Sequence, residues 1–86
     1  MLHNYYTLYT MIIRAKLRTK ILLHLPKRYA ETVAAECGCH VNTVYNVLLH
    51  ERENDTVALA LLKLSNKTKE AKDKVHLEAT QIAEQL

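Results

Sequence analysis

The sequence predicts an all-α protein, a small helical domain built from a chain of 86 residues. One glycine and one proline in the whole chain leave little material for the tight turns that connect β-strands. Several segments repeat apolar residues at three- and four-residue spacing, which is the period of a helix with one buried face. A domain of this size has a small core, so we expect a second copy or a bound partner to supply part of the stability.

The first ten residues, MLHNYYTLYT, stand apart from the rest of the chain. They contain three of the five tyrosines and no charged side chain, and they match no motif. We expect residues 1–10 to form an N-terminal tail, with a short strand as the alternative. Residues 11–86 then form the single domain.

Two periods overlap in residues 12–25. Between Ile13 and Ile21 apolar and polar residues alternate, which is the pattern of a β-strand. Apolar residues also recur every four places, which is a helical spacing: Ile13, Leu17, Ile21 and Leu25, with Leu22 and Leu23 beside them. We predict a helix that ends before Pro26. A strand here would have to pair with a second copy, because the chain offers it no partner.

Residues 30–49, AETVAAECGCHVNTVYNVLL, predict a helix, a tight turn and a second helix. The first helix is rich in Ala and Glu and ends at Gly38, since glycine adopts the left-handed conformation at no steric cost. Polar residues that can cap the second helix follow the turn: His40, Asn42 and Thr43. Its apolar face is formed by Val44, Val47 and Leu48.

This stretch resembles the twenty-residue helix-turn-helix motif of DNA-binding proteins when Ala30 is counted as its first place. The small Ala34 then stands at the fifth place and Gly38 at the ninth. The remaining core places hold apolar or thiol residues: Val33, Cys37, Cys39, Val44 and Val47. The string GCHVNTVYNVLLH is most similar to the headpieces of lac-repressor-type regulators and small phage regulators. Leu49 and His50 depart from the lac-type pattern, and from a length of 86 residues we expect no effector-binding domain.

The resemblance implies that the second helix, from His40 or Val41 to about His50, reads DNA bases. Its predicted outward residues are Val41, Asn42, Tyr45 and Asn46. Asparagine pairs with adenine, valine touches the thymine methyl group, and tyrosine contacts phosphate or sugar. With no Lys or Arg on this helix, we expect half-sites rich in A·T pairs. The resemblance also places His40, as a neutral cap, and Thr43 near phosphate.

The first helix of the motif is expected to start within residues 26–28, because proline suits the first turn of a helix. Lys27, Arg28 and Tyr29 then lie near its start and are candidate phosphate contacts. Charge supports this interpretation. The net charge is +6 over residues 11–30, −4 over residues 31–56 and +1 over residues 57–86, which sum to +3. A basic segment beside a groove-reading helix is the electrostatic footprint of a DNA-binding protein.

Cys37, Cys39 and His40 form a C-x-C-H string that could suggest zinc. No second ligand pair exists, and use as ligands would turn the cysteines out of the core, so we expect no metal or other cofactor. Two thiols at this spacing suit a reducing cytosol rather than a disulfide. No nucleophile with a base, paired carboxylates or glycine-rich phosphate loop occurs at a recognisable spacing, so we predict no enzyme activity.

Residues 51–55 are expected to form a polar loop that ends in a helix cap at Asn54 or Asp55. Residues 56–64, TVALALLKL, are the most apolar segment and should close the core. No Pro or Gly interrupts residues 57–86, so they form one long helix or two helices with a break near Ser65. A thin apolar stripe follows: Ala71, Val75, Ala79, Ile82 and Leu86. Such a stripe suits dimerisation through this helix, with folding back onto its own domain as the alternative.

These features predict a sequence-specific DNA-binding protein that acts as a homodimer, a transcriptional repressor of phage or mobile-element type. It would bind an inverted repeat in double-stranded DNA, with half-site centres roughly 34 Å apart. We expect it in the cytoplasm, associated with the nucleoid, and without a membrane contact. Two alternatives stay open. One is an excisionase-like architectural or recombination accessory protein that bends DNA, and the other is a helical protein-interaction adaptor.

Overall fold

The computed structural model describes residues 12–86 and contains four helices in that part of the chain. They are α1 (Ala15–His24), α2 (Tyr29–Cys37), α3 (Val41–Leu49) and α4 (Asp55–Gln85). No strand occurs among the described residues, which confirms the predicted all-α fold with a long C-terminal helix. The predicted N-terminal tail, residues 1–10, lies outside the described residues.

The core forms where α1, α2 and α3 pack against the N-terminal part of α4. Its largest fully buried side chains come from every helix and from the segment before α1: Ile13, Ile21, Val33, Val44, Val47, Leu48, Val57 and Leu61. The predicted role of residues 56–64 in closing the core is thereby confirmed. Burial of these aliphatic side chains is the main stabilising contribution in a domain with this composition.

Residues 15–24 form a helix, so the strand alternative for the first basic stretch is wrong. The four-residue apolar spacing is only partly used. Ile13 and Ile21 are buried, whereas Leu17, Leu22 and Leu23 are exposed. One residue turns a helix by about 100°, so side chains directly after Ile21 point away from the face that it buries.

The predicted helix, turn and helix over residues 30–49 are confirmed, with one shifted boundary. Gly38 ends α2 in the left-handed conformation at φ 67°, and its N–H and that of Cys39 both donate to the carbonyl of Ala34. The start of α2 was predicted within residues 26–28 but lies at Tyr29. The N–H of Tyr29 donates to the Pro26 carbonyl over 3.2 Å, so Pro26 opens a tight turn ahead of the helix.

α4 is one helix of 31 residues, without the break near Ser65 that the sequence left open. The Asn54 side chain caps its start by accepting the N–H of Val57 over 3.1 Å, as predicted for this position. Ser65 is 7% exposed, and its hydroxyl donates to the Ile21 carbonyl over 3.1 Å. Ser65 therefore ties α4 to α1 instead of ending a helix. Every residue from position 69 to position 86 is exposed, so the last part of α4 does not fold back onto the domain.

Candidate nucleic-acid interface

The inner face of α3 is fully buried, which decides which side chains it presents to solvent. Val44, Val47 and Leu48 are each 0% exposed and pack in the core. Asn42 and Tyr45 are exposed on the opposite side of the helix. α3 contains no acidic side chain, so its outer face is polar without a charge that would repel phosphate.

The other predicted contacts of α3 are less accessible. Thr43 and Asn46 are half-buried, and the Asn46 carbonyl accepts the N–H groups of His50 and Arg52 where α3 ends. Val41 is half-buried because it packs against the core, so the prediction that it faces outward holds only in part. Asn42 is thus the more exposed of the two amide side chains of α3.

His40 caps α3 with its imidazole ring. Its Nδ1 atom accepts the backbone N–H of Asn42 over 3.1 Å, and the residue is exposed. A ring nitrogen can accept only when it carries no proton, so this hydrogen bond requires the neutral imidazole. The contact fixes the first turn of α3 and with it the backbone of Asn42.

Two tyrosines connect the start of α2 with the middle of α3. The rings of Tyr29 and Tyr45 meet edge to face, with centroids 6.1 Å apart and planes at 88°. Burial raises the pKa of the Tyr29 phenol, and the nearby Tyr45 raises it further. Lys27 and Arg28 directly precede Tyr29, so this contact brings the predicted phosphate contacts of α2 to the same edge as α3.

The two basic residues at this edge differ in their surroundings. The Arg28 guanidinium pairs with Glu31 one turn later, and its Nε lies 2.9 Å from the Glu31 carboxylate. Lys27 is exposed, and within the described part of the chain it forms no ion pair. Lys27 is therefore the more available cation for a phosphate group.

The basic residues of the first segment do not form one continuous patch. Arg18 is directed inward, where its Nε donates to the Leu48 carbonyl over 2.7 Å, and only 23% of its side chain is exposed. Glu51 lies 3.6 Å from Arg14 and 3.9 Å from Arg18. Lys16 and Lys20 remain exposed. Sequence reasoning missed the inward role of Arg18 because its acceptor lies 30 residues further along the chain.

Cys37 and Cys39 are free thiols, half-buried against the core as the motif predicted. The Cys37 thiol donates to the Thr56 carbonyl over 3.9 Å, which links the end of α2 to the start of α4. Burial raises the pKa of Cys37, and Cys39 and Glu36 raise it further. Among the described residues no group of His, Cys, Asp or Glu is arranged to hold a metal ion.

No family model, curated protein or solved structure matches the chain. None of the four helices in the described region has the length and apolar content needed to cross a membrane.

Proposed function

We propose that this chain is a sequence-specific DNA-binding protein that regulates transcription as a homodimer, with α2 and α3 as a helix-turn-helix motif. The observation that carries the proposal is the outer face of α3. It presents an exposed amide, Asn42, and an exposed phenol, Tyr45, on a helix whose opposite face is fully buried in the core. A rigid helix with exposed hydrogen-bonding side chains and no acidic residue fits the major groove.

Asn42 is the base-reading residue in this proposal. An asparagine side chain both donates and accepts, so it matches the N6 and N7 atoms of adenine in the major groove. His40 holds the first turn of α3 and so orients Asn42. Because α3 carries neither Arg nor Lys, the usual bidentate contact to guanine is absent. We therefore expect the protein to bind half-sites that are rich in A·T pairs.

Phosphate contacts in this proposal come from the edge where α2 begins. Lys27, which has no ion pair among the described residues, supplies a cation, and the hydroxyl groups of Tyr29 and Tyr45 can donate to phosphate oxygens. The charge of Arg28 is partly neutralised by its ion pair with Glu31, so Arg28 contributes less to phosphate binding than Lys27 does. Such contacts set the position of the protein on the duplex, whereas Asn42 supplies the sequence preference.

The proposed role is repression from an inverted repeat, since a small protein that occupies an operator blocks other proteins from it. Two copies related by two-fold symmetry would place one α3 in each half-site. A regulator of this kind acts in the cytoplasm on the nucleoid.

Selection of binding sites from random duplex DNA tests the proposal. The purified protein should enrich an inverted repeat with A·T-rich half-sites. The Asn42→Ala variant, selected in parallel, should return a weaker motif, and Lys20→Ala, which changes an exposed α1 residue, serves as a matched surface control. A selection that enriches no sequence would contradict sequence-specific regulation, and G·C-rich half-sites would contradict the role of Asn42.

A further inference from the structure

The exposed part of α4 carries a straight apolar stripe that begins at the core. Its members follow an eleven-residue repeat: Leu64, Val75 and Leu86, then Thr68 and Ala79, then Ala71 and Ile82. Eleven residues make three turns of about 3.67 residues each, which is close to the roughly 3.6 residues per turn of a straight α-helix. The stripe therefore keeps to one face of α4 for its whole exposed length.

Side-chain size changes along this stripe. Its N-terminal end holds the small side chains of Thr68 and Ala71. Its C-terminal end holds the large Ile82 and Leu86, which are both exposed. One end of the stripe therefore carries small side chains and the other end carries large ones.

Charge changes in the same direction. Residues 67–74 contain four lysines and two acids, a net charge of +2, whereas residues 75–86 contain two glutamates and no Lys or Arg, a net charge of −2. One lysine of the first group, Lys69, is paired with Asp73 of its own helix at 2.9 Å. The two halves of the exposed helix are thus complementary to each other in shape and in charge.

We propose that the exposed part of α4 pairs with the same part of a second copy in the antiparallel direction. Thr68 then faces Leu86 of the second copy, Ala71 faces Ile82, and Val75 faces Ala79. The large side chains of one copy pack on the small ones of the other, and Lys74 lies beside Glu78. This inference rests on the homodimer of the proposed function, and it does not depend on DNA binding.

The parallel direction lacks both kinds of complementarity. It would set Ala71 against Ala71 and leave a gap between these two small side chains, which removes van der Waals contacts from the seam. It would also align the lysines of one copy with those of the other, and like charges across a helix pair are unfavourable. A left-handed coiled coil is disfavoured as well, because it requires a seven-residue repeat.

Mass in solution tests whether this stripe joins two copies. One chain is 9.9 kDa, so the wild type should show about twice that mass at micromolar concentration. Ile82→Glu should weaken the dimer at least about tenfold, because it places a charge in the apolar seam. Leu77→Glu is a matched control: Leu77 is 59% exposed against 61% for Ile82, but it lies about 160° away from the stripe. A monomeric wild type, or equal effects of the two variants, would overturn the proposal.

Cysteine cross-linking tests the direction. In a chain whose Cys37 and Cys39 are replaced by Ala, the variants Ala71→Cys and Ile82→Cys should form a disulfide when mixed and not when oxidised alone. Cross-linking of each variant with itself would show a parallel pair and overturn the antiparallel arrangement.

Site selection on the wild type separates the two proposals. A monomer that enriches a DNA motif contradicts the pairing and the homodimer but leaves sequence-specific DNA binding in place, and a dimer that enriches none contradicts the DNA-binding function and leaves the pairing in place.

Discussion

The guanidinium of Arg18 donates from Nε to the carbonyl oxygen of Leu48 over 2.7 Å and so joins α1 to the end of α3. Leu48 is among the last carbonyls of α3, which have no intrahelical N–H partner. A cation at a helix C-terminus also interacts favourably with the helix dipole. Arg18 therefore fixes the helix that carries Asn42, although in the sequence it belongs to the basic segment that suggested phosphate binding.

Replacing Arg18 with Ala should lower the free energy of unfolding by about 1.5–3 kcal/mol, because a charged donor to a half-buried carbonyl is lost. Urea denaturation measures the change. Lys20→Ala, on the exposed side of the same helix, should stay within about 0.5 kcal/mol of the wild type. Equal effects of the two substitutions would show that the Arg18 contact does not stabilise the domain.

Gly38 also contributes to stability, because it ends α2 in a left-handed backbone conformation. Its φ of 67° is strained for a residue with a side chain, while a Cβ atom there would meet nothing within 4 Å. Gly38→Ala should therefore cost about 1–2 kcal/mol from the backbone alone. Gly38→Asn should cost less, since asparagine tolerates the left-handed conformation. Thermal unfolding of both variants measures this, and an Ala variant no less stable than the Asn variant would contradict the explanation.

Tyr29 should make stability depend on pH in the alkaline range. Its pKa is raised above 10.0 in the folded state, first by burial and then by Tyr45, so the fold holds this proton more tightly than the unfolded chain does. The protonated Tyr29 phenol therefore contributes to the free energy of unfolding. This contribution is fully present below pH 10 and is lost as the pH rises through the raised pKa. Absorbance at 295 nm should show a late-ionising phenol in the wild type that is missing from Tyr29→Phe. A variant with an unchanged latest phase would contradict the assignment.

Glu31 should weaken DNA binding because it shares the charge of Arg28. Glu31→Gln releases the guanidinium from its ion pair and should tighten binding to any duplex.

Lys27→Ala should weaken binding and reduce the slope of log K against log salt by about 0.9. Fluorescence anisotropy over a series of salt concentrations measures both. An unchanged slope in Lys27→Ala would remove Lys27 from the phosphate contacts.

The sequence predicted the helices well because their signals are local. Gly38 and Asn54 mark helix ends by chemistry within a few residues, and Val44, Val47 and Leu48 show their shared face by spacing alone. Contacts between distant segments carry no such signal. Ser65 resembled a helix break, but its hydroxyl meets the Ile21 carbonyl 44 residues earlier.

The candidate site divides in the same way. Exposure of Asn42 and Tyr45 follows from the helical period, and the structure agrees. The sequence did not reveal that Tyr29 would pack on Tyr45, or that ion pairs would occupy Arg14 and Arg28. The availability of a charged side chain depends on which acidic groups folding brings beside it, and composition does not contain that information.

The most direct test of base reading by α3 compares Asn42→Ala with the wild type on the selected DNA site and on a scrambled duplex of equal length. We predict that the variant loses about 1–3 kcal/mol of discrimination between the two duplexes and binds the scrambled one as the wild type does. Lys27→Ala should weaken binding to both duplexes by the same factor. Equal losses on both duplexes for Asn42→Ala would contradict the account, because Asn42 would then contact the backbone and not the bases.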